Sequence, residues 1–406
     1  MKFATVDPRT NTLEKEFPFA SKPEIETVID KAYTGFKKYS ATSFADRAAK
    51  TMKLAELIEA RAKDISEIMQ KEMGKPEPEA TGEVMKTAGF VRYFAEKGED
   101  FMSPEEIDMG YKKAMSVPQP LGPILSIQPW NFPFFLPFKC GFPAIIAGNT
   151  VVMKPAPSVP QCSLAIQQLY LDAGFDEGVF SVLFAHTDEV ESIIANPKIR
   201  GVTLTGSCGA GKAVAALSGK YMKKCMFELG GSDPFVVLDD ADIDLAVVKG
   251  AAGRLMNSGQ ACINAKRFII YEGAYEAFKE KLVAHVDEKY KIGENIGPIA
   301  RMDLLDHLKK QVKIALEHGA KAFHGDVAQL DAPSDAEGKG YYFSPVFIEN
   351  ITPENPAYHF EFFGPVFSLF KVKSEEEAVA LANDVDYGLG GAVFSKDEER
   401  AKKVAL

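Results

Sequence analysis

Gly201-Val202-Thr203-Leu204-Thr205-Gly206-Ser207-Cys208-Gly209-Ala210-Gly211-Lys212 is the stretch that decides the fold. Its first five residues are a short apolar and β-branched run, which reads as a buried strand. Small residues then end the strand and open a helix. Such a turn lets backbone approach a pyrophosphate, and a helix N-terminus offers N–H groups and a positive dipole end. Ser207 suits either an N-cap or a phosphate donor. The pattern is not G-x-G-x-x-G. Nor is it a phosphate-binding loop of the G-x-x-x-x-G-K-[ST] type, because Ala213 stands where Ser or Thr would hold Mg²⁺. A glycine-rich helix start without a ligand reads equally well from this stretch alone.

Outward from it, strands alternate with helices. Ile124–Ile127, Thr150–Met153 and Val179–Leu183 read as short buried strands. Gly148-Asn149 and Gly174 stop the helices between them. After Glu228 a second block begins. Pro234–Leu238 and Arg267–Tyr271 read as strands, and Asp239-Asp240-Ala241-Asp242 caps a helix. Strands alternating with helices of this length predict βαβ units and parallel sheets. Residues 22 to 100 carry helical periodicity, as in Ile25, Val28, Ile29 and Ala32, and Met73-Gly74-Lys75-Pro76 stops a helix. The expected fold class is α/β, with two doubly wound α/β domains and a small β hairpin.

Composition sets the outer bounds. The chain has 406 residues, 46% hydrophobic and 26% charged, with net charge −10. That is ordinary globular composition with material for more than one core. An acidic chain is a poor nucleic-acid binder, so no nucleic-acid partner is expected. Cys140, Cys162, Cys208, Cys225 and Cys262 are scattered, with neither metal-ligand nor disulfide-framework spacing. No metal is expected, and a reducing cytoplasm is the simplest setting. Met1–Pro8 has no apolar signal core. The nearly uncharged run from Ala114 to Met153 is broken by Pro118, Pro120, Pro123, Pro129, Pro133, Pro137 and Pro143. Prolines at that density exclude a continuous membrane span.

Five further segments carry candidate chemistry. Cys262 follows Asn257-Ser258-Gly259-Gln260-Ala261, and Glu228 precedes Leu229-Gly230-Gly231. A thiol with a carboxylate base can form and then hydrolyse a thioester. A lone cysteine is more often buried and inert. Asn131, between Pro129-Trp130 and Phe132-Pro133, can aim its amide at an oxyanion, although an Asn in a turn more commonly bonds its own backbone. Lys154 ends a strand, where open α/β sheets bind ligands, although a surface lysine is the commoner reading. Glu361-Phe362-Phe363-Gly364-Pro365 is the fifth segment.

Taken in order, these motifs resemble the aldehyde dehydrogenase superfamily over essentially the whole chain. The wording around Asn257–Gln260 and Ala265–Phe268 is most similar to bacterial NAD(P)-dependent succinate-semialdehyde dehydrogenases. The resemblance implies catalytic roles for Cys262 as nucleophile, Glu228 as base for thioester hydrolysis and Asn131 as oxyanion donor. It implies NAD or NADP as cofactor. Lys154 and Glu361 would hold its two riboses and Ser207 its pyrophosphate, with Gly206 and Gly211 in the same turn. Trp130 would lie beside the cofactor and Phe363 near the nicotinamide ribose. Pro157 replaces the Glu that strict NAD users often carry, which leaves NADP open. Lys139 lies where semialdehyde relatives tend to present arginine; it would pair with a substrate carboxylate, or be an ordinary solvated lysine.

The implied organisation is a dinucleotide-binding domain over 1–110 and 121–228, part of an oligomerisation hairpin over 111–120, and a catalytic domain over 229–406. The catalytic domain is expected to be incomplete, because family members continue past a helix begun near Lys396 into a loop and a strand shared with a partner subunit. A homodimer or homotetramer would follow for a full-length chain. The expected reaction is oxidation of a small semialdehyde to its acid. A CoA-acylating relative is the alternative, and Glu228 argues against it by supplying a base for water. A non-catalytic binding or structural protein on this fold is another. A cysteine hydrolase would need no cofactor pocket.

Overall fold

The computed structural model describes residues 2–334 and 340–406. It divides into two units, each with its own sheet. The first comprises Met1–Val6, Leu13–Glu72 and Glu77–Leu229; the second comprises Asp7–Thr12, Met73–Pro76 and Gly230–Leu406.

Near the N-terminus, β1 (Phe3–Asp7) and β2 (Thr12–Phe17) form a two-stranded sheet. Four helices follow: Lys22–Tyr39, Phe44–Ala60, Ala62–Met73 and Glu77–Phe101. The Lys22–Tyr39 helix starts at a Ser21–Glu24 capping box with Pro23 in its first turn. Next, β3 (Glu105–Glu106) and β4 (Met115–Ser116) pair antiparallel as a minimal hairpin. Ile107, Met109 and Tyr111 are exposed on it.

Five parallel strands make the first sheet: β5 (Pro123–Ile127), β6 (Thr150–Lys154), β7 (Phe180–Val182), β8 (Gly201–Thr205) and β9 (Lys224–Glu228). Their spatial order is β7-β6-β5-β8-β9, so chain direction across the sheet reverses beside β5. Val151 and Met153 enter one core, while Val152 enters another with Leu125 and Leu204. That alternation covers both faces, as a doubly wound sheet requires. Each such side chain, fully buried, contributes about 1.5–3 kcal/mol.

The second sheet has six strands: β10 (Asp233–Val237), β11 (Ala265–Tyr271), β12 (Lys321–His324), β13 (Val346–Glu349), β14 (Val366–Val372) and β15 (Ala392–Phe394). Their order is β12-β13-β14-β11-β10-β15. It too has two buried faces: Val236, Ile269 and Ile348 lie in one core, and Phe235, Phe268 and Phe347 in another. Five of its strands run parallel, as the βαβ pattern predicts, and β12 adds antiparallel to β13 at one edge. Antiparallel neighbours need no crossover helix between them, so β12 can add at this edge ahead of β13 without one.

Candidate active site

In the first unit, the strand registers gather the candidate residues at one edge of the sheet. Ile127 stands opposite Lys154 and Leu204, and Thr205 stands opposite Glu228. All of these are C-terminal strand ends, and β5 and β8 flank the point where strand order reverses. Open α/β sheets bind ligands outside such a switch point.

Asn131 lies in the turn between β5 and the helix Phe135–Ile146, and it is buried. The turn is held from both sides. Gln128 N–H donates to the Lys154 carbonyl at 3.0 Å. Glu83, on the helix Glu77–Phe101, accepts from Phe134 N at 3.0 Å and Phe135 N at 2.9 Å. A carboxylate here satisfies N–H groups of the first helical turn and complements its dipole. Trp130 packs partly buried against the larger core.

Lys154 is buried, which overturns the surface reading of this lysine. Desolvation lowers its ammonium below the usual lysine range. Three residues on, the Pro157 carbonyl accepts from Ala4 N at 2.9 Å.

The strand–turn–helix at 201–220 forms as the sequence indicates. Ser207 is the N-cap of Cys208–Lys220, with backbone φ −69° and ψ 155°, and its Oγ accepts from Ala210 N at 3.2 Å. Gly206 N–H donates to the Glu228 carbonyl at 3.0 Å. A Cβ on Gly211 would stand 2.5 Å from Leu229 Cδ2. Glycine here therefore lets the helix sit on the residue after Glu228, a packing reason beyond any phosphate role.

Lys139 projects from the helix Phe135–Ile146, with Nζ 3.1 Å from Glu228 Oε1. Neither reading of this lysine named that partner. The neighbouring Cys140 thiol lies 3.1 Å from Thr205 Oγ1, which ties this helix to β8, and burial pushes that thiol's pKa up.

In the second unit, Cys262 follows a strained turn. Asn257, Ser258 and Gly259 have φ of 55°, 57° and 79°. Two consecutive non-glycine residues in the left-handed region are costly and persist only where neighbours enforce them. The neighbours are explicit. Asn264 Oδ1 accepts from Ala261 N at 2.7 Å, and its Nδ2 donates to Gly253 O at 2.7 Å. Gln260 donates to the Pro298 carbonyl at 3.2 Å and accepts from Ala300 N at 2.9 Å. Ser258 Oγ accepts from Gly297 N at 2.8 Å. A Cβ on Gly259 would stand 2.3 Å from the Gly364 carbonyl carbon.

That contact joins the cysteine turn to the Glu361–Pro365 segment, and buried Arg254 reinforces it. Its guanidinium donates to the Phe362 carbonyl at 2.7 Å and to the Gly364 carbonyl. Desolvation lowers this arginine to about 9.

Gly230 and Gly231 serve the same region. A Cβ on Gly230 would stand 2.4 Å from Glu361 Oε2, and one on Gly231 would stand 2.7 Å from the Cys262 carbonyl oxygen. Gly231 N–H donates to Glu361 Oε1 at 3.1 Å. Lys266, on β11, has its ammonium 5.8 Å from the Phe363 ring centroid.

Sequence reasoning missed Glu83, Arg254 and Lys266. Glu83 and Arg254 sit in ordinary helical patterns with no local mark. Lys266 had one faint signal, the cation pair Lys266-Arg267 at the start of a strand that is otherwise apolar or aromatic.

The family pattern described as aldehyde dehydrogenase matches residues 1–406. The chain belongs to the aldehyde dehydrogenase family. It is 39% identical over 409 residues to the succinate-semialdehyde dehydrogenase [NADP(+)] of Deinococcus radiodurans, covering 99% of this chain and 84% of that protein. It is 39% identical over 407 residues to the succinate semialdehyde dehydrogenase [NAD(P)+] of Escherichia coli, covering 99% of this chain and 86% of that one. The solved succinic semialdehyde dehydrogenase of Streptococcus pyogenes with NADP+ aligns with TM-score 0.94 and 35% identity, over 99% of this chain and 88% of that one. Family membership makes this chain an NAD(P)-dependent oxidoreductase acting on aldehydes. Among the described residues no helix is long and apolar enough to cross a membrane.

Proposed function

We propose that this aldehyde dehydrogenase oxidises succinate semialdehyde, or a small semialdehyde like it, to the carboxylic acid. The observation that carries the substrate reading is the Lys139–Glu228 pair, 3.1 Å apart with side chains 39% and 26% exposed. A pair this open is worth about 0–1 kcal/mol. A substrate carboxylate can therefore compete with Glu228 for the Lys139 ammonium. The names of the relatives support the same choice.

The residues fit a dinucleotide. Lys154 offers an ammonium at the ligand edge of its sheet, Ser207 with Gly206 and Gly211 opens a helix, and Glu361 offers a carboxylate to ribose hydroxyls. Trp130 and Phe363 supply aromatic faces, and Pro157 leaves room for a 2′-phosphate. When bound, the nicotinamide supplies the two-electron acceptor for the aldehyde hydride.

The chain's own groups carry the remaining steps. Cys262 attacks the aldehyde carbon as its thiolate, and the carbonyl π pair moves onto oxygen. The Asn131 amide and the Cys262 backbone N–H donate to the oxygen as charge develops on it. Loss of hydride leaves a thioester on Cys262. Glu228 takes a proton from water, which adds to the thioester carbon. Collapse of that adduct expels the Cys262 thiolate and yields the acid.

A cytoplasmic setting belongs to the same reading, since scattered cysteines without framework spacing suit a reducing compartment. A homodimer or homotetramer is supported by the exposed apolar side chains of the β3–β4 hairpin. The test is a panel of aldehydes with NAD and with NADP, followed by nicotinamide absorbance. Turnover favouring semialdehydes supports the reading; a preference for uncharged aldehydes would refute the substrate assignment. Product that appears only with added CoA would favour the acylating alternative.

A further inference from the structure

Lys266 has no part in the chemistry above, yet it is 2% exposed. Its ammonium donates to the Ala261 carbonyl at 2.9 Å and the Cys262 carbonyl at 2.7 Å, and lies 3.1 Å from Glu361 Oε1. An ammonium has three protons to give, and three oxygens receive them. Taking such a group out of water is costly, and two neutral carbonyls alone offset little of that cost. The carboxylate completes the set. Oε1 of Glu361 also accepts from Gly231 N, while Oε2 lies against Gly230, where no Cβ intervenes.

We propose that Lys266 is a positioning residue: it fixes the Glu361 carboxylate for the nicotinamide ribose and ties it to the backbone of Cys262. The proposal rests on the reading of Glu361 as a ribose ligand and Cys262 as nucleophile. A ribose diol then meets a carboxylate whose orientation is set before binding, so no ordering has to accompany association. The same ammonium holds the carbonyl of the nucleophile, so one cation anchors both.

Charge makes the tie sensitive to pH. Burial pushes Lys266 down to about 8; Glu361 and Asp233 oppose the fall, and Arg254 adds to it. Below that pH the ammonium is intact. Above it the proton is lost, and Glu361 Oε1 loses a charge-assisted donor. Nucleotide affinity therefore falls as pH rises through about 8. An arginine at this position would keep its charge.

The experiment is titration of NADPH fluorescence with wild type, Lys266→Met, Lys266→Arg, Glu361→Gln and the Lys266→Met/Glu361→Gln pair, across that pH range. Lys266→Met weakens NADPH by about ten-fold or more at neutral pH and abolishes the step near pH 8. The double variant binds no more weakly than Glu361→Gln, because both changes break one interaction. Lys266→Arg binds within a few-fold of wild type and shows no step. Wild-type affinity that is flat through pH 8, Lys266→Met binding like wild type, or effects that add with Glu361→Gln would each overturn the proposal. A wild-type protein that binds neither NADH nor NADPH would instead refute the cofactor reading of Glu361, a separate failure.

Discussion

Lys139 stands 3.1 Å from Glu228, on a helix tied to β8 through Cys140 and Thr205. The cation proposed for a substrate carboxylate thus rests against the proposed base. A semialdehyde that takes over Lys139 also releases Glu228 for water. We expect Lys139→Met to raise KM for succinate semialdehyde by about ten-fold, the value of one charge-assisted contact. For an uncharged aldehyde of similar length KM should change much less. Steady-state kinetics on the two substrates decide it, and equal changes would remove the carboxylate role.

Glu228→Gln keeps the shape of the side chain but cannot take a proton from water. Hydride transfer should then outrun hydrolysis. Rapid mixing should show a burst of reduced nicotinamide of about one per site, followed by slow turnover. Unchanged steady-state turnover would contradict the assignment.

The turn before Cys262 is predicted to tolerate no side chain at Gly259. Its φ is 79°, and a Cβ would meet the Gly364 backbone at 2.3 Å. Gly259→Ala should cost about 2–4 kcal/mol and displace Cys262. Urea unfolding together with thiol reactivity would check both effects.

Much of this was legible in the sequence, for a physical reason. The strand at Gly201–Thr205, the turn at Gly206 and the cap at Ser207 are local features, set by side-chain size and hydrogen-bonding chemistry within a few residues. The antiparallel edge at β12 was not legible, because Lys321–His324 is short and half-buried and its direction depends on β13. Lys139 offered two readings, and neither included Glu228, since that contact spans a large sequence separation. Glu83 was hidden similarly, because the backbone groups it accepts from are far away in sequence, and Lys266 was hidden because its carboxylate partner, Glu361, is brought to it only by the fold. Gly230 and Gly231 were visible as glycines, but their purpose, to admit Glu361 and the Cys262 carbonyl, required the fold.

Glu72 yields a prediction about stability. It accepts from Thr5 Oγ1 at 2.6 Å, Gln161 N at 2.8 Å and Cys162 N at 2.8 Å, at the start of the helix Pro160–Asp172. Burial raises its carboxyl from 4.5 to about 7, against those donors. Between these values the folded state binds more protons than the unfolded chain, so stability falls as pH rises and levels off above about 7. Glu72→Gln cannot titrate. The stability of wild type relative to Glu72→Gln should fall by up to about 3 kcal/mol between about pH 5 and about pH 8. Parallel urea midpoints for the two proteins across that range would contradict it.

The most direct test of the account is nicotinamide reduction by wild type and Cys262→Ala with succinate semialdehyde and NADP. The account predicts aldehyde-dependent absorbance of the reduced cofactor, matched mole for mole by succinate, and none from Cys262→Ala. No reduction by wild type with either NADP or NAD, or full activity retained by Cys262→Ala, would contradict it.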